Sequence, residues 1–401
     1  MELPSGIQTK DPDKDYVLQL TKNLYGQKQA SRVFYLHLKK GLEKIGFQPS
    51  QIDEGLFFRG TTIFVVYVDD GIFFDPSEDK IYQATKYLQN AGYDIEIKGT
   101  ITDYLGVNFK YTDDGKIELT QPHLIDQIVE DSKILKKKFV PTSIPAKSSK
   151  ILHRYENAED FDNRWNYRSI IGRLNFLEKN TRPDIAYATH QCARFSHDPK
   201  QQHAEAVEYL IKYLHATKDK GIIMKPKGEP IIEIYADADF SGNWNKATAS
   251  KDPSTAKSRT GYVVMFANCP IVWVSKLQTQ VALSTTEAEY ISLSQSLRDG
   301  IPLVQIVQEL KDRNILNLND KIKVHCRCYE DNAGALELSN VPKLRPRTKH
   351  INIVYHHFRE HVRSGLVKVF PIGTSDQVAD IMTKPLPQNL FQKFRKQLIG
   401  W

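Results

Sequence analysis

From Ile231 to Ile372 the chain alternates element types in an order that few folds accommodate. IIEIYADADF reads as a strand and GYVVMFANCPIVWVSK as two more. A long helix is expected from about Thr285 to Leu310, and KIKVHCRCYED as a further strand. A helix around TKHINIVYHHFREHV, a strand at LVKVFPIG and a final helix complete the pattern. Strands first, then helices and strands in alternation, predict one mixed sheet flanked by helices, and hence an α+β fold.

Upstream, 401 residues leave room for one or two more modules. NLYGQKQASRVFYLHLKKGLEKIGF reads as a turn and a helix, with Phe34, Leu38, Leu42 and Ile45 on one face. TTIFVVYVDDGIFF gives two short apolar runs turning at Asp69, Asp70 and Gly71. DYLGVNFKYTDDGKIELTQ is a second hairpin, turning at Asp113-Asp114-Gly115. From about Gln121 to Gly221 the texture is helical, with YRSIIGRLNFLEKN and HAEAVEYLIKYLHATKDKG amphipathic and Gly221 expected as a helix stop. KKKFVPTSIPAKSSK reads as a surface linker between helices. The expected organisation is 1–120, a helical region over 121–228, and the mixed-sheet module over 229–401.

Composition narrows the function. Hydrophobic residues at 40% and charged residues at 26% exclude disorder as the dominant state. A net charge of +7 fits a nucleic-acid partner without demanding one. No apolar run approaches the roughly 18 residues of a membrane span. MELPSGIQTKDPDK lacks the apolar core of a signal peptide, so an intracellular protein with no membrane association, in cytoplasm or nucleus, is expected. Four cysteines are too few for a disulfide framework. Cys326 and Cys328, beside His325, read as strand residues rather than a zinc site, since no second cysteine pair follows.

Two sets of carboxylates carry the chemistry. Tyr67-Val68-Asp69-Asp70 puts two acids side by side at a hairpin tip, where both can remain near a divalent cation or simply form a turn. The second set is dispersed: Asp237 ends a strand, Glu289 lies near the start of the long helix, Asp331 follows a strand, and Asp380 lies in SDQVADIMTK. Four acids converging at one end of a sheet would hold two metal ions, and oxygen ligands select Mg²⁺ or Mn²⁺ over zinc. Spacing alone does not separate them from solvated acids at element ends. Asp239 shares a strand face with Asp237. Ser284 to Glu287 makes a capping box, but Thr286 to Glu289 fits the same pattern, so Glu287 and Glu289 both stay open.

The motifs, in order over nearly the whole chain, resemble those of copia-type LTR retrotransposon Pol polyproteins, reverse transcriptase followed by ribonuclease H. Leu24 to Ala30 is similar to the palm segment that contacts template and nucleotide, with Lys28 and Gln29 as contacts. Tyr67 to Asp70 resembles the polymerase YVDD, and Tyr104-Leu105-Gly106-Val107 the hairpin that grips the primer. Tyr167-Arg168, Gly172, Leu174 and Thr181 to Ile185 resemble the helical segment joining the two enzymes. Asp237 to Phe240, Ser258 to Tyr262, Ser284 to Tyr290, Asp331-Asn332, Lys349 to Ile351 and Ala379 to Leu386 resemble its ribonuclease H. The resemblance favours Glu289 over Glu287 and implies two-metal hydrolysis, by Asp237, Glu289, Asp331 and Asp380, of the RNA strand in an RNA–DNA hybrid. It also implies a truncated palm, a helical thumb or connection, and a ribonuclease H-like domain. Asp69 and Asp70 would be palm metal ligands, and recognition would follow backbone shape and 2′-hydroxyls.

The palm of that family needs a third aspartate, on a strand upstream of Leu24. The acids there are Glu2 and, in the polar turn Asp-Pro-Asp-Lys-Asp, Asp11, Asp13 and Asp15, which do not end an apolar strand, so an incomplete polymerase is expected. Gln27 and Ser31 stand where the family usually has Leu and Pro. Arg347, Lys349 and His350 are candidate phosphate contacts, whereas Lys136 to Lys138 read as a solvated run. His357 and His361 have the spacing of a zinc pair but no accompanying carboxylate motif. The alternative to a nuclease is a non-catalytic, nucleic-acid-binding remnant of a retrotransposon.

Overall fold

The computed structural model describes residues 16–17, 19–136, 140–148, 151–154, 158–246, 249–316, 318, 324–340, 351 and 353–401. Contacts divide the chain into two compact units, residues 1–99 with 309–318, and residues 100–308 with 319–401.

In the first unit, helix α1 (Ala30–Lys44) precedes strands β1 (Gln48–Pro49), β2 (Leu56–Arg59), β3 (Thr62–Tyr67) and β4 (Asp70–Phe74), and helix α2 (Glu78–Asn90) follows. The strands form an antiparallel sheet in sequential order. Leu38 and Leu42 of α1 and Ala84 and Leu88 of α2 bury their side chains with Phe47, Phe57 and Phe64. The β3–β4 turn sits earlier than expected. Tyr67 pairs with Asp70, so the loop is Val68-Asp69, with Val68 at φ 53°. Gly71 lies inside β4, where a Cβ would meet the Phe64 ring at 2.6 Å. Packing, not the turn, requires that glycine.

The second unit opens with β5 (Asp103–Tyr104), β6 (Val107–Tyr111) and β7 (Ile117–Thr120), followed by α3 (Pro122–Asp131), α4 (Tyr167–Asn180), α5 (Ala186–Ala193) and α6 (Gln201–Ala216). Strand β8 (Ile222–Met224) joins β5–β6–β7 in an antiparallel sheet. Gly221 is not the stop of α6, which ends at Ala216; a Cβ there would collide with the Leu119 carbonyl, because β8 comes in against β7.

The expected mixed sheet follows. Its strands are β9 (Ile232–Asp239), β10 (Arg259–Phe266), β11 (Cys269–Leu277), β12 (Cys326–Glu330) and β13 (Val367–Pro371). They lie in the order β11-β10-β9-β12-β13, antiparallel through β11, β10 and β9 and parallel from β9 to β13. Helices α7 (Thr285–Asp312), α8 (Ala333–Asn340), α9 (Arg359–Arg363), α10 (Asp380–Thr383) and α11 (Gln388–Ile399) complete the unit. The helix expected around 348–362 is instead a 3₁₀ turn at Ile353–His356 and the short α9, with 341–350 and 352 outside the described residues. One apolar core includes Ile170 and Leu174 of α4, Leu210 of α6, Val263 of β10, Trp273 of β11 and Phe394 of α11. The helical region and the mixed sheet are therefore built on shared hydrophobic burial. The α+β class is as expected.

Candidate metal centre

Strand pairing sets where the acids go. β9 and β12 are parallel neighbours with Tyr235 opposite Tyr329. Two residues further along, Asp237 and Asp331 emerge at the same end of the sheet. The opposite neighbour of Asp237 is Gly261 on β10. A Cβ at Gly261 would crowd Thr383 and sit 2.8 Å from Met382 Cβ, so the bare position lets α10 lie on the strand pair. That brings Asp380, at the start of α10, against Asp237. Gln377 anchors the approach, its Nε2 donating to the Ala236 carbonyl at 2.8 Å.

Helix α7 delivers the remaining acid and decides between its two glutamates. Ser284 Oγ accepts from the Glu287 N–H at 3.1 Å, and Glu287 Oε2 accepts from the Leu283 N–H at 2.7 Å. Glu287 is thus engaged in capping. Glu289 faces the sheet, and one ligand atom each of Asp237, Glu289 and Asp331 lies within 4.8 Å of the others. Asp239 is not in that group; it lies opposite buried Arg259 on β10.

The surrounding groups fix each carboxylate. Thr383 Oγ1 donates to Asp237 Oδ2, and Ser292 Oγ of α7 donates to the Asp237 carbonyl at 2.8 Å. Thr374 Oγ1 donates to Asp331 Oδ2 at 3.0 Å. Asn332 Oδ1 accepts from Thr286 Oγ1 and from the Ala335 N–H, tying the starts of α7 and α8 together beside Asp331. The Glu289 carboxylate accepts from the Ala238 backbone, but its Oε2 is buried with no hydrogen-bond partner.

Burial and mutual repulsion push the acids up. Burial, then Asp237, raise the Asp380 carboxyl to about 7 against the pull of Lys384. Burial also raises Glu289, reinforced by Asp237, Glu330 and Asp331, and raises Asp237 despite Lys384 and Thr383. Buried Glu330 is raised as well, chiefly by desolvation. An oxygen-only donor set with surplus negative charge and an unpartnered buried carboxylate oxygen suits a hard divalent cation.

Sequence reasoning missed Lys384. Its ammonium lies 2.8 Å from Asp380 Oδ1 and 3.6 Å from Asp237 Oδ1. Burial opposes its charge, but Asp237, Asp380 and Glu289 outweigh that and hold it protonated. The i, i+4 spacing of Asp380 and Lys384 in DIMTK was the available signal.

The other acidic pair is placed differently. Tyr67, Asp69 and Asp70 are exposed at the β3–β4 loop, and the exposed Tyr25 hydroxyl donates to Asp69 Oδ2 at 2.6 Å. Lys28 and Gln29 are exposed just ahead of α1. Leu105 and Gly106, at φ 50° and 78°, form the exposed turn between β5 and β6. Arg347, Lys349, His350, Glu2, Asp11, Asp13 and Asp15 lie outside the described residues. Cys326 and Cys328 are buried thiols on β12, 3.5 Å apart. Among the described residues neither they nor His357 and His361 join a cluster of metal-ligating side chains. No described helix is long and apolar enough to cross a membrane.

Residues 1–146 match the family described as reverse transcriptase (RNA-dependent DNA polymerase). The chain is 33% identical over 402 residues to the retrovirus-related Pol polyprotein from transposon RE1 of Arabidopsis thaliana, covering 99% of this chain and 26% of that one. It is 31% identical over 301 residues to the putative transposon Ty5-1 protein of Saccharomyces cerevisiae, covering 74% of this chain and 93% of that one. The chain thus spans about a quarter of the length of the RE1 and RE2 polyproteins it matches. Among solved structures, LC11-RNase H1 isolated from compost is similar at 16% identity over 41% of this chain and 98% of that one, with a TM-score of 0.27. The strand order stated above, not that likeness, defines the fold of the mixed sheet.

Proposed function

The chain belongs to the Pol polyprotein family of copia-type retrotransposons, reverse transcriptase with a ribonuclease H-like fold, and from that premise we propose that it hydrolyses the RNA strand of RNA–DNA hybrids. Asp237, Glu289, Asp331 and Asp380 would hold two Mg²⁺ or Mn²⁺ ions. Bound there, the ions would activate water and stabilise the leaving oxygen of phosphodiester cleavage. The observation that carries this reading is the meeting of Asp237, Glu289 and Asp331, from three separate elements, around an unpartnered Glu289 oxygen.

The chain's own residues supply the rigidity such a site needs. Thr383 and Ser292 fix Asp237 from two sides, Thr374 orients Asp331, and the capping role of Glu287 leaves Glu289 to the site. Arg347, Lys349 and His350 would contact phosphates of the hybrid. In the reverse-transcriptase part, Asp69 and Asp70, with Tyr67 beside them, would serve a primer–template, contacted by Lys28, Gln29, Leu105 and Gly106. The same reading takes 1–120 as palm, 121–228 as helical connection and 229–401 as the ribonuclease H module, acting inside the cell.

The test is cleavage of an end-labelled RNA–DNA hybrid by the full chain with Mg²⁺ or Mn²⁺, abolished by EDTA and by Asp331→Asn. Folded wild-type protein that binds hybrid but never cuts it would overturn the reading and leave a binding remnant.

A further inference from the structure

Lys384 occupies the place where a positive charge is most wanted. Its ammonium contacts Asp380 Oδ1 at 2.8 Å and Asp237 Oδ1 at 3.6 Å, and its field also reaches Glu289 and Asp239. Asp237 and Asp380 are nearly buried, and four clustered carboxylates repel one another strongly at low local dielectric. Without a counter-charge the acids would have to spread or take up protons. Lys384 is the ammonium that meets both of them among the described residues.

The contact is not a locked one. The Lys384 side chain keeps 35% of its surface exposed and lies at the C-terminal end of α10 in extended backbone. Its charge is held there by the carboxylates against an opposing loss of hydration, so an ammonium that yields those oxygens to a metal ion regains water. A divalent cation cannot share Asp237 and Asp380 with an ammonium at these distances without strong cation–cation repulsion.

We propose that Lys384 is a placeholder cation: its ammonium holds Asp237 and Asp380 in ligating position while the site is empty and is displaced when a divalent ion takes their oxygens. This rests on the metal site proposed above. Lys384 then has two effects of opposite sign. It stabilises the metal-free fold, and it competes with the metal. A purely structural lysine would have effects of one sign, since losing it would loosen the carboxylates and weaken metal binding too.

The experiment is calorimetric Mn²⁺ titration, with thermal melting read by tryptophan fluorescence, on metal-free full-length wild type, Lys384→Met, Lys384→Arg and Asp331→Asn. Met keeps the length and apolar stem of the side chain and removes the charge. The expected result for Lys384→Met is a lower melting temperature without metal and Mn²⁺ affinity raised about tenfold. Lys384→Arg should restore the metal-free melting temperature and bind Mn²⁺ no better than wild type. Unchanged or weaker Mn²⁺ binding by Lys384→Met overturns the proposal, as does an unchanged metal-free melting temperature. The underlying reading fails separately, if wild type and Lys384→Met both bind no Mn²⁺ or if Asp331→Asn binds it as well as wild type. Binding by Lys384→Met alone would support the placeholder.

Discussion

Asp237 is 1% exposed and is gripped by Thr383 from one side and by the α7 residue Ser292 through its carbonyl. Asp69, in the other unit, stands in solvent on a two-residue loop, with the exposed Tyr25 hydroxyl as a partner. Both regions put acids at the end of an apolar strand, and both place a bare glycine where something packs closely, Gly261 under α10 and Gly71 under Phe64. The difference lies in what an empty site costs. Water screens charges on an exposed loop, so the Asp69–Asp70 pair needs no counter-ion to keep its shape. The buried carboxylates repel at low dielectric, and a cation relieves them. Preorganisation by packing is bought with electrostatic strain, and that strain is what a metal ion can recover.

The largest separation between the two regions should appear in catalysis. Asp237→Asn is expected to lower the hybrid cleavage rate by about three orders of magnitude or more. Asp69→Asn should leave that rate unchanged. Initial rates on a labelled hybrid with Mg²⁺ measure both, and equal losses would remove the distinction between the sites.

Acid stability gives the next effect, and tryptophan isolates it. Trp165, Trp244, Trp273 and Trp401 all belong to the unit that carries the buried acids, so their fluorescence reports that unit. In it, His203 stacks on Phe195 with ring centroids 3.8 Å apart; its Nδ1 accepts from the Lys200 N–H and its Nε2 donates to the His153 carbonyl. That neutral ring is fully used, and burial pushes its pKa down to about 4. A depressed histidine stabilises the fold fully above its unfolded value near 6.5 and loses that contribution as pH falls from there to about 4. The contribution is about 2 to 3 kcal/mol. Asp380, raised to about 7, acts in the opposite direction over the same window. The quantity to measure is therefore the gap in unfolding free energy between wild type and His203→Gln, which should shrink between pH 6.5 and 4. A gap independent of pH would mean that His203 stays neutral in the unfolded chain too, or is charged when folded.

How much of this was legible depended on range. The strand ends carrying Asp237 and Asp331 follow from alternation and turn chemistry within a few residues. The choice between Glu287 and Glu289 does not, because both fit the same cap pattern and only the sheet under α7 shows which one faces the acids. The spacing of Lys384 from Asp380 is local, but its contact with Asp237 was illegible for a similar reason: it is made by α10 docking on β9, far away in sequence. The Val68-Asp69 loop was misplaced because Gly71 reads locally as a turn residue, when its constraint comes from the Phe64 ring. Local patterns are readable where backbone geometry decides, and unreadable where packing does.

The two glycines turn that into a test of moderate size. Gly261→Ala inserts a methyl against Thr383 and Met382, and overpacking of this kind costs about 1 to 3 kcal/mol. It should lower the tryptophan-monitored midpoint in denaturant and weaken Mn²⁺ binding, since α10 must retreat with Asp380. Gly71→Ala meets the rim of the Phe64 ring, at Cε2 and Cζ, within its own unit. Its effect should appear in far-UV circular dichroism alone, leaving the tryptophan midpoint and Mn²⁺ affinity where they were. If Gly71→Ala moved either, the two units would not be energetically separate.

The smallest effect compares one chemical contact in two settings. Thr383 and Tyr25 each donate a hydroxyl to an aspartate, Asp237 in the core and Asp69 in solvent. Thr383→Val keeps the shape but leaves a buried carboxylate oxygen without its donor, a loss of about 1 to 3 kcal/mol. Tyr25→Phe leaves Asp69 an exposed carboxylate that water solvates at once, so the melting curve should not shift by either probe. The Asp69 carboxylate also holds the Tyr25 proton more tightly through their hydrogen bond, raising the phenol above its ordinary value. Asp69→Asn should therefore let Tyr25 ionise at lower pH, visible by NMR of the labelled ring, while Thr383→Val leaves that titration alone. Comparable destabilisation from Thr383→Val and Tyr25→Phe would show that burial is not what distinguishes the two acidic sites.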